Sequence, residues 1–158
     1  MKDQVISQHM VHFPICGTPE MSLTDGATIM KHNNIRHLPI LADDNLVGII
    51  SDRDLKPAMA LEQSPLLSLG DVMKKDVYVV TQDTYLSEVA LQMAEGKLGS
   101  AVIVDSHNRV LGIFTTTDAL YLLASELEGE TLEDYFLERD GDLLSEHFSE
   151  DFSDDPPN

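Results

Sequence analysis

The sequence predicts an α/β (α+β) fold in which two tandem β-α-β-β-α repeats pack sheet to sheet with pseudo-twofold symmetry, helices outside. Two observations predict it. The chain matches itself without gaps at an offset of 63 residues, and at 64 after one inserted residue in the later turn. Each copy also has the pattern of an extended lead-in, a helix, a β-hairpin and a second helix. A sheet with helices on one face leaves its other face apolar, and a second copy can cover that face.

The internal match also gives the domain organisation. The matched pairs are Met10 with Met73, Thr18 with Thr81, Leu23 with Leu86, Gly48 with Gly112 and Asp54 with Asp118. The stretch 61–69 holds Pro65 among polar residues, which is typical of a linker. We therefore expect a first repeat over residues 1–64, a second repeat over 65–125 and an acidic C-terminal tail over 126–158, partly helical and then disordered.

The elements of the first repeat follow from its residue pattern. Leu23 and Met30 lie at helical spacing on the apolar side of a predicted helix. The segments 38–41 and 46–50 are predicted strands, joined by the turn 42–45. Its Asp and Asn residues tolerate the backbone angles of a tight hairpin.

The second repeat has the same elements, and its last helix suggests a partner. Strands are predicted over 101–104 and 110–114, with a turn at 105–109 between them. The helix that follows is apolar nearly all round over 119–124, which implies contact on more than one side. A homodimer is the natural way to bury such a helix.

Charge and composition exclude several classes of function. The formal net charge is -18, and residues 126–158 hold 13 Asp and Glu residues against the single Arg139. A field of this sign repels nucleic acid and anionic membrane surfaces, so neither is a predicted partner. An alternative hypothesis is a ligand-free dimeric scaffold whose acidic tail binds a basic protein.

The single cysteine and the first residues bear on location. Cys16 cannot form an internal disulfide, and a lone thiol cannot build a zinc site. The polar residues within 1–13 leave no signal-peptide core, and no apolar run approaches the roughly 20 residues that span a bilayer. These observations predict a cytoplasmic protein.

A duplicated motif marks where each hairpin meets its second helix. Both 48–54 and 112–118 read Gly-apolar-x-Ser/Thr-x-x-Asp. Taken alone, Ser/Thr-x-x-Asp is a helix-start signal, in which the hydroxyl caps the helix and the acid favours its dipole. Its occurrence at two equivalent places suggests a second use. Free N–H groups can hold phosphate, and a carboxylate can accept two hydrogen bonds from a ribose diol.

These features resemble the CBS domain family. The resemblance rests on the doubled β-α-β-β-α pattern, on Ile35-Arg-His-Leu-Pro-Ile40 before an acidic turn, and on 46–55, and it covers about residues 5–125. It implies a stand-alone pair of domains (a Bateman module) with nucleotide clefts between the repeats. It also implies AMP, ADP or ATP as ligand, no required cofactor, no catalysis, and an unidentified regulated protein as partner.

The resemblance implies particular residues for each cleft. The first cleft would use Asp54 for ribose, Ser51 and Arg53 toward phosphate with His37 nearby, and Met73, Tyr78 and Leu98 of the other copy around the base. The second would use Asp118, Thr115 and Thr117 with Met10, Ile15, Ile35 and Arg36. The second repeat has Gly99 and Ser100 where the first has Arg36 and His37, so it supplies less positive charge. The basic residues of the first repeat are either phosphate ligands or solvated surface charge.

Overall fold

The structure is a computed structural model that describes residues 4–129. Its helices and strands are, in chain order, β1 (Val11–His12), α1 (Leu23–His32), β2 (His37–Ala42), β3 (Asn45–Ser51), α2 (Asp52–Met59), α3 (Leu69–Val72), β4 (Val79–Val80), α4 (Leu86–Gly96), β5 (Ser100–Val104), β6 (Val110–Thr115) and α5 (Thr116–Glu128). The predicted element pattern is confirmed, and short 3-10 turns lie at 6–8 and 64–66. Residues up to Asp118 form one compact unit. Most of the predicted tail lies outside the described residues.

The second repeat carries a four-stranded sheet in the order β1-β6-β5-β4. Strands β5 and β6 form the predicted antiparallel hairpin, and β4 runs parallel to β5. The remaining strand, β1, belongs to the first repeat and pairs antiparallel with β6, placing Val11 opposite Ile113. The lead-in of one repeat thus extends the sheet of the other.

In the first repeat the same exchange takes place through isolated β-bridges. Its hairpin β2-β3 is flanked by a parallel bridge from Gly17 to Ile40 and an antiparallel bridge from Lys74 to Ile49. Lys74 belongs to the second repeat, so each lead-in contacts the hairpin of the opposite copy before it reaches its own. This reciprocal exchange confirms the predicted pseudo-twofold relation.

The hairpin turn of the first repeat uses two aspartates in the left-handed region. Asp43 has φ 49° and Asp44 has φ 63°. Two positive φ values in a two-residue turn are those of a type I′ hairpin, whose twist matches the twist of the strands. The predicted tolerance of Asp at this turn is therefore what closes the hairpin.

Apolar clusters hold the described chain together, and two of them contain side chains of the first hairpin. The first cluster lies within the first repeat, with one contribution from α3, and contains Leu23, Met30, Leu38, Ile40, Ile50, Leu55 and Leu69. The second joins the two hairpins and contains Leu46, Val102 and Val104, with Leu41, Ile49, Val77 and Val110 packed against it. Because this second cluster takes side chains from both copies, the sheets pack face to face as predicted.

Helix α5 begins directly after β6 and carries apolar side chains that are exposed. Leu120, Leu123 and Leu127 are 65%, 55% and 78% exposed. Within residues 4–129, no helix combines the length and the apolar character needed to cross a bilayer.

Candidate functional site

The first candidate site is the junction between β3 and α2. Ser51 is the N-cap of α2, and its hydroxyl accepts a hydrogen bond from the Asp54 N–H at 3.3 Å. The same hydroxyl donates to Asp54 Oδ2 at 2.7 Å. This is the capping box predicted from the motif, and it holds the Asp54 side chain in one position at the start of the helix.

The equivalent junction between β6 and α5 has the same geometry. Thr115 Oγ1 donates to Asp118 Oδ2 at 2.7 Å, and the Thr115 N–H donates to the same oxygen at 2.7 Å. The Asp118 N–H donates back to Thr115 Oγ1 at 3.3 Å. At each junction the cap occupies Oδ2 of the aspartate. The helix-start role and a ligand role are thus compatible, because the cap leaves the second carboxylate oxygen for another partner.

The second oxygen of Asp54 is held by an ion pair from the other repeat. Lys74 Nζ lies 3.2 Å from Asp54 Oδ1, and the lysine side chain is 64% exposed. Burial would raise the pKa of Asp54, but hydrogen bonds from Ser51 and Lys74 and the charge of Lys74 outweigh it, so the pKa is lowered from 3.8. Asp54 is therefore a carboxylate at neutral pH.

Lys74 was not among the residues predicted from the sequence. The signal that could have identified it is its place directly after Met73, in the segment predicted to reach the first cleft. Its counterpart one offset earlier is Val11, whose side chain carries no charge. Among the described residues no ion pair reaches Asp118. The two aspartates therefore differ in their electrostatic surroundings although their caps are alike.

A cluster of charged groups surrounds His37, the first residue of β2. Its pKa is lowered, chiefly by burial; Asp52 and Asp54 act to raise it, while Arg36 and Arg53 act to lower it further. The charges of Arg53 and Asp54, two other residues predicted for the first cleft, thus act on His37. Arg36, predicted for the second cleft, also acts on this imidazole.

His37 also marks where the two repeats meet. A Cβ built on Gly99 of the second repeat would lie 2.5 Å from His37 Nε2. Real Cβ atoms do not approach a ring nitrogen so closely, so the absence of a side chain at position 99 is what admits the imidazole.

Methionines from opposite repeats cover the two motif glycines. A Cβ on Gly48 would lie 2.5 Å from Met73 Sδ and 3.0 Å from the Lys74 carbonyl oxygen. Gly112 stands in the same relation to Met10 and to the Val11 carbonyl oxygen. Met73 and Met10 therefore lie beside the strand of the opposite repeat that leads into each junction, which is the exchange predicted from the resemblance.

The other predicted residues lie in varied surroundings. Ile35 packs against the core of the first repeat, Leu98 is half-buried, and Ile15 is 42% exposed. Arg53 and Thr117 are exposed in the first turns of their helices. Their binding roles remain predictions.

Tyr78 lines an open surface depression of about 450 Å³ together with Val79, Val80, Thr81, Thr84, Glu88, Gln92 and Val104. Burial and the charge of Glu88 raise the pKa of Tyr78. All of these lining residues belong to the second repeat, so stacking of Tyr78 on a base in the first cleft stays a prediction.

The groups at the junctions suit a polar organic ligand. They offer carboxylate acceptors, hydroxyls and guanidinium donors, which recognise diols and phosphates. Within the described part of the chain, no three His, Cys, Asp or Glu side chains are grouped so that they could hold a metal ion.

Comparison with known proteins points to one family. The CBS domain family model matches residues 6–61 and 69–125. L-aspartate semialdehyde sulfurtransferase of Methanocaldococcus jannaschii is 31% identical over 106 residues, which is 66% of this chain and 20% of that protein. The chain thus spans a fifth of the length of this relative.

Solved structures give the same fold. The CBS domain pair of protein MJ0100, in complex with 5'-methylthioadenosine and S-adenosyl-L-methionine, superposes with a TM-score of 0.72 at 27% identity, covering 78% of this chain and 98% of that one. The CBS-pair protein CBSX2 from Arabidopsis thaliana has a TM-score of 0.69 at 22% identity and covers 80% of this chain and 98% of its own; this likeness shows the fold alone.

Proposed function

This chain belongs to the CBS domain family, and from that premise we propose that it is a regulatory module that binds an adenosine nucleotide of the AMP, ADP or ATP class between its repeats. The observation that carries the proposal is the duplicated junction. At each one a Ser or Thr cap uses one oxygen of an aspartate, and the other oxygen is outside the cap, paired with Lys74 at Asp54 and without an ion pair among the described residues at Asp118. The proposal assigns no catalytic step to the chain.

The chemistry of the junctions fits the parts of such a ligand. A fixed carboxylate can accept hydrogen bonds from both ribose hydroxyls, and the free N–H groups at a helix start favour an anion. Arg53, exposed in the first turn of α2, can add a charge-assisted bond to phosphate. The two ligands of the MJ0100 pair share an adenosyl group, which supports an adenosine ligand here.

Calorimetric titration with AMP, ADP and ATP tests the proposal. Asp54→Ala and Asp118→Ala each remove a predicted diol acceptor, and we expect at least one of them to weaken binding by roughly 1.5–3 kcal/mol. Asp71→Ala is the matched control. Asp71 forms the same capping box with Ser68, at 2.8 Å, but was not predicted for either cleft.

The control separates loss of a ligand contact from loss of a helix cap. Asp71→Ala should leave affinity unchanged while it lowers stability by about 1 kcal/mol. A wild-type chain that gives no heat with any of the three nucleotides or with other adenosyl compounds would exclude the proposal.

A second candidate function is a ligand-free dimeric scaffold. It is favoured by Leu120, Leu123 and Leu127, which recur on one side of α5 at helical spacing and are each more than half exposed. We expect Leu123→Glu to convert a homodimer into a monomer in size-exclusion chromatography with light scattering. If the dimer persists and nucleotide still binds, the scaffold hypothesis loses its support and the nucleotide module stands.

A further inference from the structure

We propose, on the basis of the proposed function, that the two clefts select different adenosine ligands. The Asp54 cleft, defined by Ser51, Arg53, Asp54, His37 and Lys74, takes an adenosine that carries phosphate. The Asp118 cleft, defined by Thr115, Thr117, Asp118, Ser100 and Val11, takes an adenosine derivative without phosphate. Residues at equivalent places in the two copies differ in charge.

In the Asp54 cleft the acidic groups are already paired. Asp52 pairs with Lys56 at 3.2 Å, and Asp54 pairs with Lys74 at 3.2 Å. Arg53 remains without an ion pair among the described residues. The fixed charges near the start of α2 therefore sum to an excess of positive charge, which favours a phosphate group.

The Asp118 cleft has no counterpart of the cations Arg53 and Lys74, and of the residues predicted for it only Arg36 carries a positive charge. Threonine stands at 117 where the first repeat has Arg53, serine at 100 where it has His37, and valine at 11 where it has Lys74. These positions are structurally equivalent, because Val11 pairs with Ile113 in the way that Lys74 pairs with Ile49. Asp118 has no ion-pair partner in the described chain.

The consequence is a difference in selectivity and not in the recognition of ribose. Both aspartates have the same cap and can accept the same diol. A phosphate in the Asp118 cleft would be repelled by a carboxylate that has no ion-pair partner among the described residues. An uncharged 5'-substituent would not be repelled. Val11, which is 45% exposed, offers that substituent an apolar contact in the place of the Lys74 ammonium group.

Exchange of side chains between the copies tests the inference. Arg53→Thr and Thr117→Arg each install the residue that the opposite repeat carries, at an exposed second position of a helix. Lys74→Val and Val11→Lys complete the exchange. Gly99→Arg is avoided, because any Cβ there would collide with His37.

The probes are AMP and 5'-methylthioadenosine, titrated calorimetrically into the full chain. In the wild type, AMP binding should be sensitive to Asp54→Asn and 5'-methylthioadenosine binding to Asp118→Asn. Arg53→Thr should weaken AMP by roughly tenfold or more, because it removes a bond to a charged group. In the variant with all four exchanges, the sensitivity of AMP binding should move from Asp54→Asn to Asp118→Asn.

Arg109→Thr controls for the loss of one positive charge. Arg109 pairs with Asp105 in the turn before β6, while Thr115 at the junction ends the same strand, about 20 Å away. It should leave the AMP affinity unchanged. If substitution of the same aspartate weakens the binding of both AMP and 5'-methylthioadenosine, the inference is overturned while the proposed nucleotide module stands. Binding of neither probe would also overturn the inference, and the proposed function falls with it only if ADP, ATP and other adenosyl compounds give no heat either.

Discussion

Lys74 and Asp54 are joined by an ion pair of 3.2 Å that links the lead-in of one repeat to the helix start of the other. The lysine side chain is largely exposed, so the contribution of the pair to stability is small, about 0–1 kcal/mol. Its importance lies in the oxygen it occupies. Asp54 Oδ2 is used by the cap, and Oδ1 is the atom that a ribose diol would share with the ammonium group or take from it.

Removal of Lys74 is expected to raise the pKa of Asp54. Its hydrogen bond and positive charge are among the causes that keep this pKa below 3.8, so Lys74→Met should move the titration of the Asp54 carboxyl to higher pH. A carboxyl with a depressed folded-state pKa adds stability above its unfolded pKa and loses it as pH falls through the folded value. The stability advantage of the wild type over Lys74→Met should therefore be full above about pH 4 and shrink as pH falls below it. NMR titration of the carboxyl carbon and denaturant unfolding measure both effects.

Lys56→Met is the matched control for this measurement. It removes an exposed ammonium group from α2, the helix that contains Asp54. This group pairs with Asp52 instead of Asp54. Its effect on the pKa of Asp54 should be much smaller than that of Lys74→Met. Equal shifts in the two variants would show that Asp54 responds to net charge and not to the ion pair.

A methyl group at Gly48 should loosen the contact between the repeats. It would meet Met73 Sδ at 2.5 Å and the Lys74 carbonyl oxygen at 3.0 Å, and only the side chain can move away without shifting the backbone. We expect Gly48→Ala to cost about 1–3 kcal/mol of unfolding free energy, the usual range for overpacking. Denaturant unfolding with a two-state fit measures this cost.

The double variant Gly48→Ala with Met73→Ala identifies the source of that cost. If the methionine is the main obstacle, the double variant should be more stable than the sum of the single effects predicts. Strict additivity would contradict the contact and assign the whole cost to the carbonyl oxygen.

Much of the fold could be predicted because the sequence contains an internal repeat. The offsets aligned equivalent residues, and the hairpins and capped helices followed from local pattern alone. The two-residue strand β1 could not be predicted with its partner, since a repeat shows that two copies are alike and not which copy each lead-in pairs with. The equivalent bridge from Lys74 to Ile49 is what brings Lys74 to Asp54.

The candidate site was predictable where it depends on local capping and not where it depends on long-range approach. Ser51 with Asp54 and Thr115 with Asp118 were visible as spacings of three residues. The approach of His37 to Gly99 was not, because it depends on how two folded repeats meet.

The half-buried His9 should make stability depend on pH. Both ring nitrogens of His9 are buried with no hydrogen-bond partner, and burial lowers its pKa from 6.5. Because the unfolded chain then takes up a proton more readily than the folded one, stability is full above pH 6.5 and falls as pH drops below it. Unfolding free energies at about pH 8 and about pH 5.5 should show this loss.

His9→Val isolates that contribution, because the second repeat has Val72 at the equivalent position. The variant should be more stable than the wild type at both values of pH, by about 1–3 kcal/mol where the unpaired ring nitrogens are the main cost. The advantage should be larger at the lower pH. An advantage that does not change with pH would show that His9 does not titrate differently in the two states.

Asn108 should contribute more to stability than its place in a surface turn suggests. Its side-chain Nδ2 donates to the Leu46 backbone carbonyl oxygen at 3.0 Å, and its backbone carbonyl oxygen accepts from the Leu46 N–H at 3.2 Å. It also has φ 62°, which costs an ordinary residue about 1–2 kcal/mol. Asn108→Ala loses the side-chain bond and meets this strain, so we expect a loss of about 2 kcal/mol in denaturant unfolding.

Asn108→Gly loses only the bond and should cost less. Asn45→Ala, in the hairpin turn of the first repeat, removes only a local bond to the Asp43 carbonyl oxygen and should cost least. If Asn45→Ala is as costly as Asn108→Ala, the link between the hairpins contributes nothing measurable.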